Sequence, residues 1–407
     1  MRRRRLAVHF ESIAILIAAA PAFAFPSFKE HVINPDAEVV YAVDVADMNG
    51  DKKPDIIGLS ATHVTWYENP IWAPHRIANQ LEKDNVCIAP CDIDGDGIPE
   101  LAVGADWQPG NTDGGGKLYF LKQTSDPSAL WNVTLLVDEF PTLHRIRWAD
   151  TDGDGKNELV VSQLKGKGSK APAFDDPRAR LILLRPPADP STTPWASETI
   201  DESLHIVHNI WPHREGPQTK DSILTASMEG VWRFVRDDAG KWTATDWIAA
   251  LRGAPYDGPG AGEVKTASNI PMFAAIEPWH GENVVVYVPR DDTKMASVWY
   301  RHVLDDSYKG GHAVGWADFD RDGADDVLAG YREKSGPRNT YGLYVYALKL
   351  DRATGQVQAE KHAIDEGGMA TEDAVAADLN GDGWPDIVAG GRATHNIKYY
   401  ENLGTGR

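Results

Sequence analysis

Two cysteines in 407 residues are too few for a disulfide framework. Cys87 and Cys91 stand four apart on one predicted strand, which separates their Cα atoms by about 13 Å and rules out a mutual disulfide. Basic residues are also short, with 41 Lys and Arg against 60 Asp and Glu and a formal net charge of -19. That balance excludes a nucleic-acid partner. The chain has no glycine-rich phosphate cradle, no serine nucleophile elbow and no Cys-His zinc pattern. After the first two dozen residues, no stretch approaches the roughly 20 apolar residues that a bilayer span requires.

Those first residues read as an export signal. Arg2 to Arg5 form a basic region, Ile13 to Ala20 an apolar one, and Ala22-Phe23-Ala24 a small-residue cleavage site. Cleavage leaves residues 25–407, predicted to be periplasmic or secreted and without a membrane span. Losing the four arginines and Glu11 takes the net charge from -19 to -22.

Much of that acidity is organised. Five loops of one spacing place oxygen-bearing side chains at positions 1, 3, 5 and 9. They are Asp47, Asn49, Asp51 and Asp55; Asp92, Asp94, Asp96 and Glu100; Asp150, Asp152, Asp154 and Glu158; Asp318, Asp320, Asp322 and Asp326; and Asp378, Asn380, Asp382 and Asp386. With the carbonyl of position 7, each offers five or more oxygens to a hard cation, which points to as many as five structural Ca2+ ions. An EF-hand would need a bidentate Glu at position 12, where these loops carry Gly58, Val103, Val161, Ala329 and Ala389. They are loops between strands.

A second repeat runs out of phase with the first. Seven short strands place a basic or polar residue before an apolar pair and close on an acid or amide, from Lys29-Glu30-His31-Val32-Ile33-Asn34 to Lys361-His362-Ala363-Ile364-Asp365. Seven strands and five loops agree if two units lack the acids. The stretches from His208 to Leu224 and from Ala274 to Val286 are read as those two. Third strands recur as Thr65-Trp66-Tyr67-Glu68-Asn69 and Lys398-Tyr399-Tyr400-Glu401-Asn402. Unit spacing of this length is that of four-stranded propeller blades. The chain starts on a lone fourth strand and ends on a third, so its two ends should pair and leave no open edge. The expected fold is all-β: a seven-bladed β-propeller of four-stranded blades, residues 25–407, closed by the N-terminal strand in the last blade.

The loops and the Trp-Tyr-Glu-Asn strands resemble the FG-GAP or VCBS-type calcium-loop propellers. Glu277-Pro278-Trp279-His280-Gly281-Glu282-Asn283-Val284-Val285-Val286-Tyr287, with Val303-Leu304-Asp305-Asp306 and Gly311-His312-Ala313, resembles the propeller domain of the aldos-2-ulose dehydratase/isomerase family. That resemblance implies a carbon-oxygen lyase that removes water from oxidised sugars. The family's cupin domains have no room in this chain.

If each first strand ends in an acidic loop, its start lies on the opposite, open face. Six residues before the first loop aspartate stand His144 and His312, and His205 falls within one position of the same point in blade four. Tyr41, Asn85 or Val86, Met272 and Glu372 are the counterparts elsewhere. His144, His205, His312, Tyr41 and Glu372 are therefore the candidate catalytic residues. The imidazoles are placed to bind Zn2+ or Mn2+ or to share acid-base work, and a His or Tyr41 to take an α-proton. His213 and His280 fall on the acidic-loop face by the same count and are read as structural; His208 lies further along its strand. Gly-rich insertions at 105–116, 164–178, 253–268 and 330–341 belong to the open face. They bring Lys165, Lys167 and Arg332 as substrate-binding candidates for a carbohydrate or sugar-derived ligand. The rival expectation is a non-catalytic propeller that binds glycan or a protein partner.

Overall fold

The computed structural model describes residues 25–405 apart from 80, 217–218, 250–259, 269–271, 290–298, 337 and 352–353. The predicted signal segment and the first part of the 253–268 insertion lie outside the described residues. Among the described residues there is no helix, and none long and apolar enough to cross a membrane.

Seven antiparallel four-stranded sheets form the blades. Their inner strands are Val40–Ala46, Cys87–Cys91, Leu143–Ala149, Val207–His213, Glu263–Thr266, Gly311–Ala317 and Thr371–Ala377. Each inner strand packs against the inner strands of its two neighbours, which closes the ring around a central channel. The last blade takes its outer strand from the other end of the chain. Phe28–Asn34 pairs with Ile397–Asn402, Glu30 opposite Tyr400 and His31 opposite Tyr399.

Apolar layers between blades hold the ring. Between blades one and two, Met48, Ile57, Trp66, Ile88 and Leu101 are all buried in one cluster. Burying such side chains contributes roughly 1.5–3 kcal/mol each. Second strands such as Asp55–Ser60 and Glu158–Gln163 are buried along their whole length.

Blade five departs from the sequence reading by one strand. Ala274 to Pro278 looked like its inner strand, but Phe273–Glu277 is the second strand and Glu263–Thr266 is the inner one. The inner strand is only four residues long and lies inside what reads as a Gly-rich insertion. Without an acidic loop to mark its end, nothing local distinguished it.

Candidate functional site

The acidic loops join inner to second strands at one end of every blade that has them. Position 1 folds each loop by accepting from the backbone: Asp92 from Gly95 and Gly97 at 2.7 and 2.9 Å, Asp378 from Gly381 and Gly383 at 2.8 Å each. Position 9 accepts from the N–H of position 2, as Asp326 does from Phe319 and Asp386 from Leu379. Ligand oxygens of Asp92, Asp94 and Asp96, of Asp150, Asp152 and Asp154, and of Asp318, Asp320 and Asp326 lie within 4.8 Å of one another. Burial first, then neighbouring carboxylates, raises Asp326 to about 8, and burial raises Asp55 and Asp386 to about 6. Crowded all-oxygen sets of this kind suit calcium. In blades two and three a basic side chain reaches the same oxygens: Lys122 meets Asp94 and Glu100, and Arg185 meets Asp152 and Glu158.

At the other end of the channel is a cavity of about 420 Å3. Two structural positions supply most of its walls. One is the second residue of the inner strand: Tyr41, His144, His208, His312 and Glu372. In each of these five blades the strand register slips at that residue, as between Leu143 and Arg145 or Thr371 and Asp373. The extra residue forms a β-bulge, which turns its side chain into the channel. The other position lies near or beyond the end of the second strand and contributes Trp107, Lys165, His280, Arg332 and Arg392.

The histidines are chained around the ring. The Nδ1 of His144 donates to the His208 carbonyl at 2.7 Å, that of His208 to the Gly262 carbonyl at 2.6 Å, and that of His312 to the Glu372 carbonyl at 2.6 Å. These partners leave each Nε2 as the lone-pair nitrogen. Gly262 therefore occupies the ring position in blade five and has no side chain to offer. A Cβ there would meet the Trp279 carbonyl oxygen at 2.2 Å. His280 fills the space, with its Nε2 2.5 Å from Nε2 of His208. One nitrogen each of His208, His280 and His312 falls within 4.8 Å of the others. Burial, followed by neighbouring arginine or imidazole charge, holds all four imidazoles well below their usual range. Neutral imidazoles in such a triplet fit a zinc-like ion.

Four sequence assignments change here. His205 is replaced by His208: its Nδ1 and backbone N–H engage Glu229 ahead of the inner strand, outside the cavity. With no loop aspartate in blade four, the residue count had no anchor. His280 moves to the open face because its turn joins second and third strands rather than first and second. Met272 is likewise displaced as a ring position by Gly262. Lys167 pairs with exposed Glu139 and does not line the cavity. Arg145 and Arg392 were missed. A signal for Arg392 existed, since Ala389-Gly390-Gly391-Arg392 repeats Ala329-Gly330-Tyr331-Arg332 one blade later.

Charge is concentrated around Glu372, buried at 3% exposure. Arg332 Nη1 lies 2.9 Å from both its carboxylate oxygens and Arg392 Nη1 2.7 Å from Oε1. The Arg392 guanidinium also sits 5.1 Å from the Tyr41 ring centre. Burial raises the Tyr41 pKa.

Family sequence models match three stretches: the aldos-2-ulose dehydratase β-propeller domain over residues 115–290, an FG-GAP-like repeat over 47–103, and an FG-GAP repeat over 88–121. The chain is a seven-bladed β-propeller that carries FG-GAP repeats over residues 47–121. It is similar to the propeller domain of aldos-2-ulose dehydratase, and the matched stretch contains His144, His208 and His280. No curated protein matches it significantly by sequence. Among solved structures, a chain of the crystal structure of BBS1N in complex with ARL6DN, soaked with mercury, superposes on this propeller with a TM-score of 0.56. The match covers 93% of this chain and 96% of that one at 12% identity, a likeness of fold alone.

Proposed function

We propose that this chain is an exported, calcium-stabilised propeller that acts as a carbohydrate lyase or dehydratase at the open end of its channel. The observation that carries this reading is the convergence of His208, His280 and His312 in a cavity shared with Tyr41, Arg332, Glu372 and Arg392. The similarity to the aldos-2-ulose dehydratase propeller supports the reaction class. The three imidazoles would hold a zinc or manganese ion, which would supply a Lewis acid for a sugar carbonyl. Calcium in the five acidic loops would be structural.

The protein groups can carry the proton traffic of an elimination. Glu372 is the sole carboxylate among the described residues lining the cavity. An arginine drawn from it to a substrate oxygen leaves a carboxylate oxygen free to take the proton on the carbon next to the carbonyl. As the carbon-carbon double bond forms, the neighbouring carbon-oxygen bond breaks. Tyr41, kept protonated by burial, gives its proton to the departing oxygen, and the proton on Glu372 restores it. Water, or a sugar alcohol, is the leaving product.

Elemental analysis of the purified mature protein tests the reading. The expected result is one transition-metal ion per chain in addition to calcium, lost on combining His208→Ala with His312→Ala while calcium is retained. Loss of a Lewis acid worth several kcal/mol predicts about a 10³-fold fall in formation of unsaturated sugar product. Calcium alone, with no such product from any oxidised sugar, would favour the non-catalytic binding module instead.

A further inference from the structure

The cavity carries the opposite charge to the chain around it. Four cationic side chains line it, Arg145, Lys165, Arg332 and Arg392, against the single carboxylate of Glu372, on a chain of net charge -19. Glu263 lies behind Arg145 at 3.4 Å, and Arg332 and Arg392 share Glu372. Counting Glu263, two acids answer four cations.

Lys165 is the least matched of them. Its Nζ donates to the Pro109 carbonyl at 3.0 Å and lies 4.7 Å from the Phe174 ring centre, and no carboxylate pairs with it among the described residues. Burial alone pulls its pKa down. Its backbone is fixed from both sides. The Thr142 hydroxyl accepts from the Lys165 N–H at 3.0 Å and donates to the Lys165 carbonyl at 2.7 Å, while the residue bridges to Ile206. A preorganised, half-buried ammonium without a counter-charge at the rim of a basic cavity focuses potential on an incoming anion.

Resting on the carbohydrate reading above, we infer that the ligand is an anionic sugar, of the uronate or keto-acid class, and that Lys165 selects its carboxylate. A neutral keto-sugar would leave the excess charge unanswered. A carboxylate would meet Lys165 and draw an arginine off Glu372, the event that frees the proposed base.

The test is calorimetric titration of the metal-loaded mature protein with D-glucuronate and D-galacturonate, each beside its neutral methyl ester. One charge-assisted contact predicts that the acid binds about 10–100-fold tighter than the ester. Lys165→Met should abolish the preference and leave ester affinity within about twofold, and Lys165→Arg should keep it. An unchanged thermal transition in each variant shows that the fold is intact. Esters binding as tightly as acids, the preference surviving in Lys165→Met, or neither pair binding would each overturn the inference. An acid that binds but yields no unsaturated product would instead sink the lyase reading and leave the anion site standing.

Discussion

The two ends of the channel are built from the same blades and obey opposite rules. At the acidic-loop end, every oxygen set comes from one continuous stretch of nine residues, from Asp47 to Asp55 or Asp378 to Asp386. At the open end the functional groups are gathered from several blades, and His208 and His280 meet across 72 positions. Repetition belongs to the first end and divergence to the second. A residue that repeats in every blade serves the ring, whereas one that changes from blade to blade is free to serve a ligand.

The loop end also ties neighbours together. Asn69 at the end of a third strand donates its side-chain amide to the Leu379 carbonyl of the adjacent blade, and Asn402 does the same to Phe319 at 3.0 Å. Gln123 repeats the contact to Met48. All three carbonyls belong to loop position 2, beside the first loop aspartate. The order of these three loops is thereby passed to the next blade.

The division between a structural and a functional end can be broken most directly by chelation. Calcium removal with the transition metal restored should lower the thermal transition by on the order of 10 °C, since saturated sites of ordinary affinity contribute several kcal/mol. An unchanged transition would mean that the loops do not support the ring. A smaller effect is expected from Asn402→Ala. Leaving the Phe319 and Pro385 carbonyls without their buried donor should cost about 1–3 kcal/mol in denaturant unfolding, with ligand binding intact. A loss of binding without a loss of stability would blur the two ends. Smallest of all should be Lys167→Ala, which removes a pair between two exposed side chains and should change ligand affinity less than about twofold.

Part of the site was legible before the fold. His144, His312, Tyr41 and Glu372 could be placed because each sits six residues before a loop aspartate that fixes the strand's phase. Blades four and five lack that marker, and there the reading slipped to His205 and to the wrong inner strand. Arg332 and Lys165 were found as basic residues in loops, but Lys167, two positions on, looked identical and points elsewhere. Nothing in the sequence distinguishes them.

By itself the sequence determined the blade count, the ring closure and the acidic loops, because strand alternation and ligand spacing are local patterns that every copy repeats. The open end was decided by tertiary structure. The bulges that turn Tyr41, His144, His208, His312 and Glu372 inward are misalignments between two paired strands, invisible along either one. The turn that carries His280 into the imidazole cluster passes where a Cβ on Gly262, just ahead of the inner strand, would meet the Trp279 carbonyl. An acidic loop needs neighbours in the chain, and the open cavity needs neighbours around a ring.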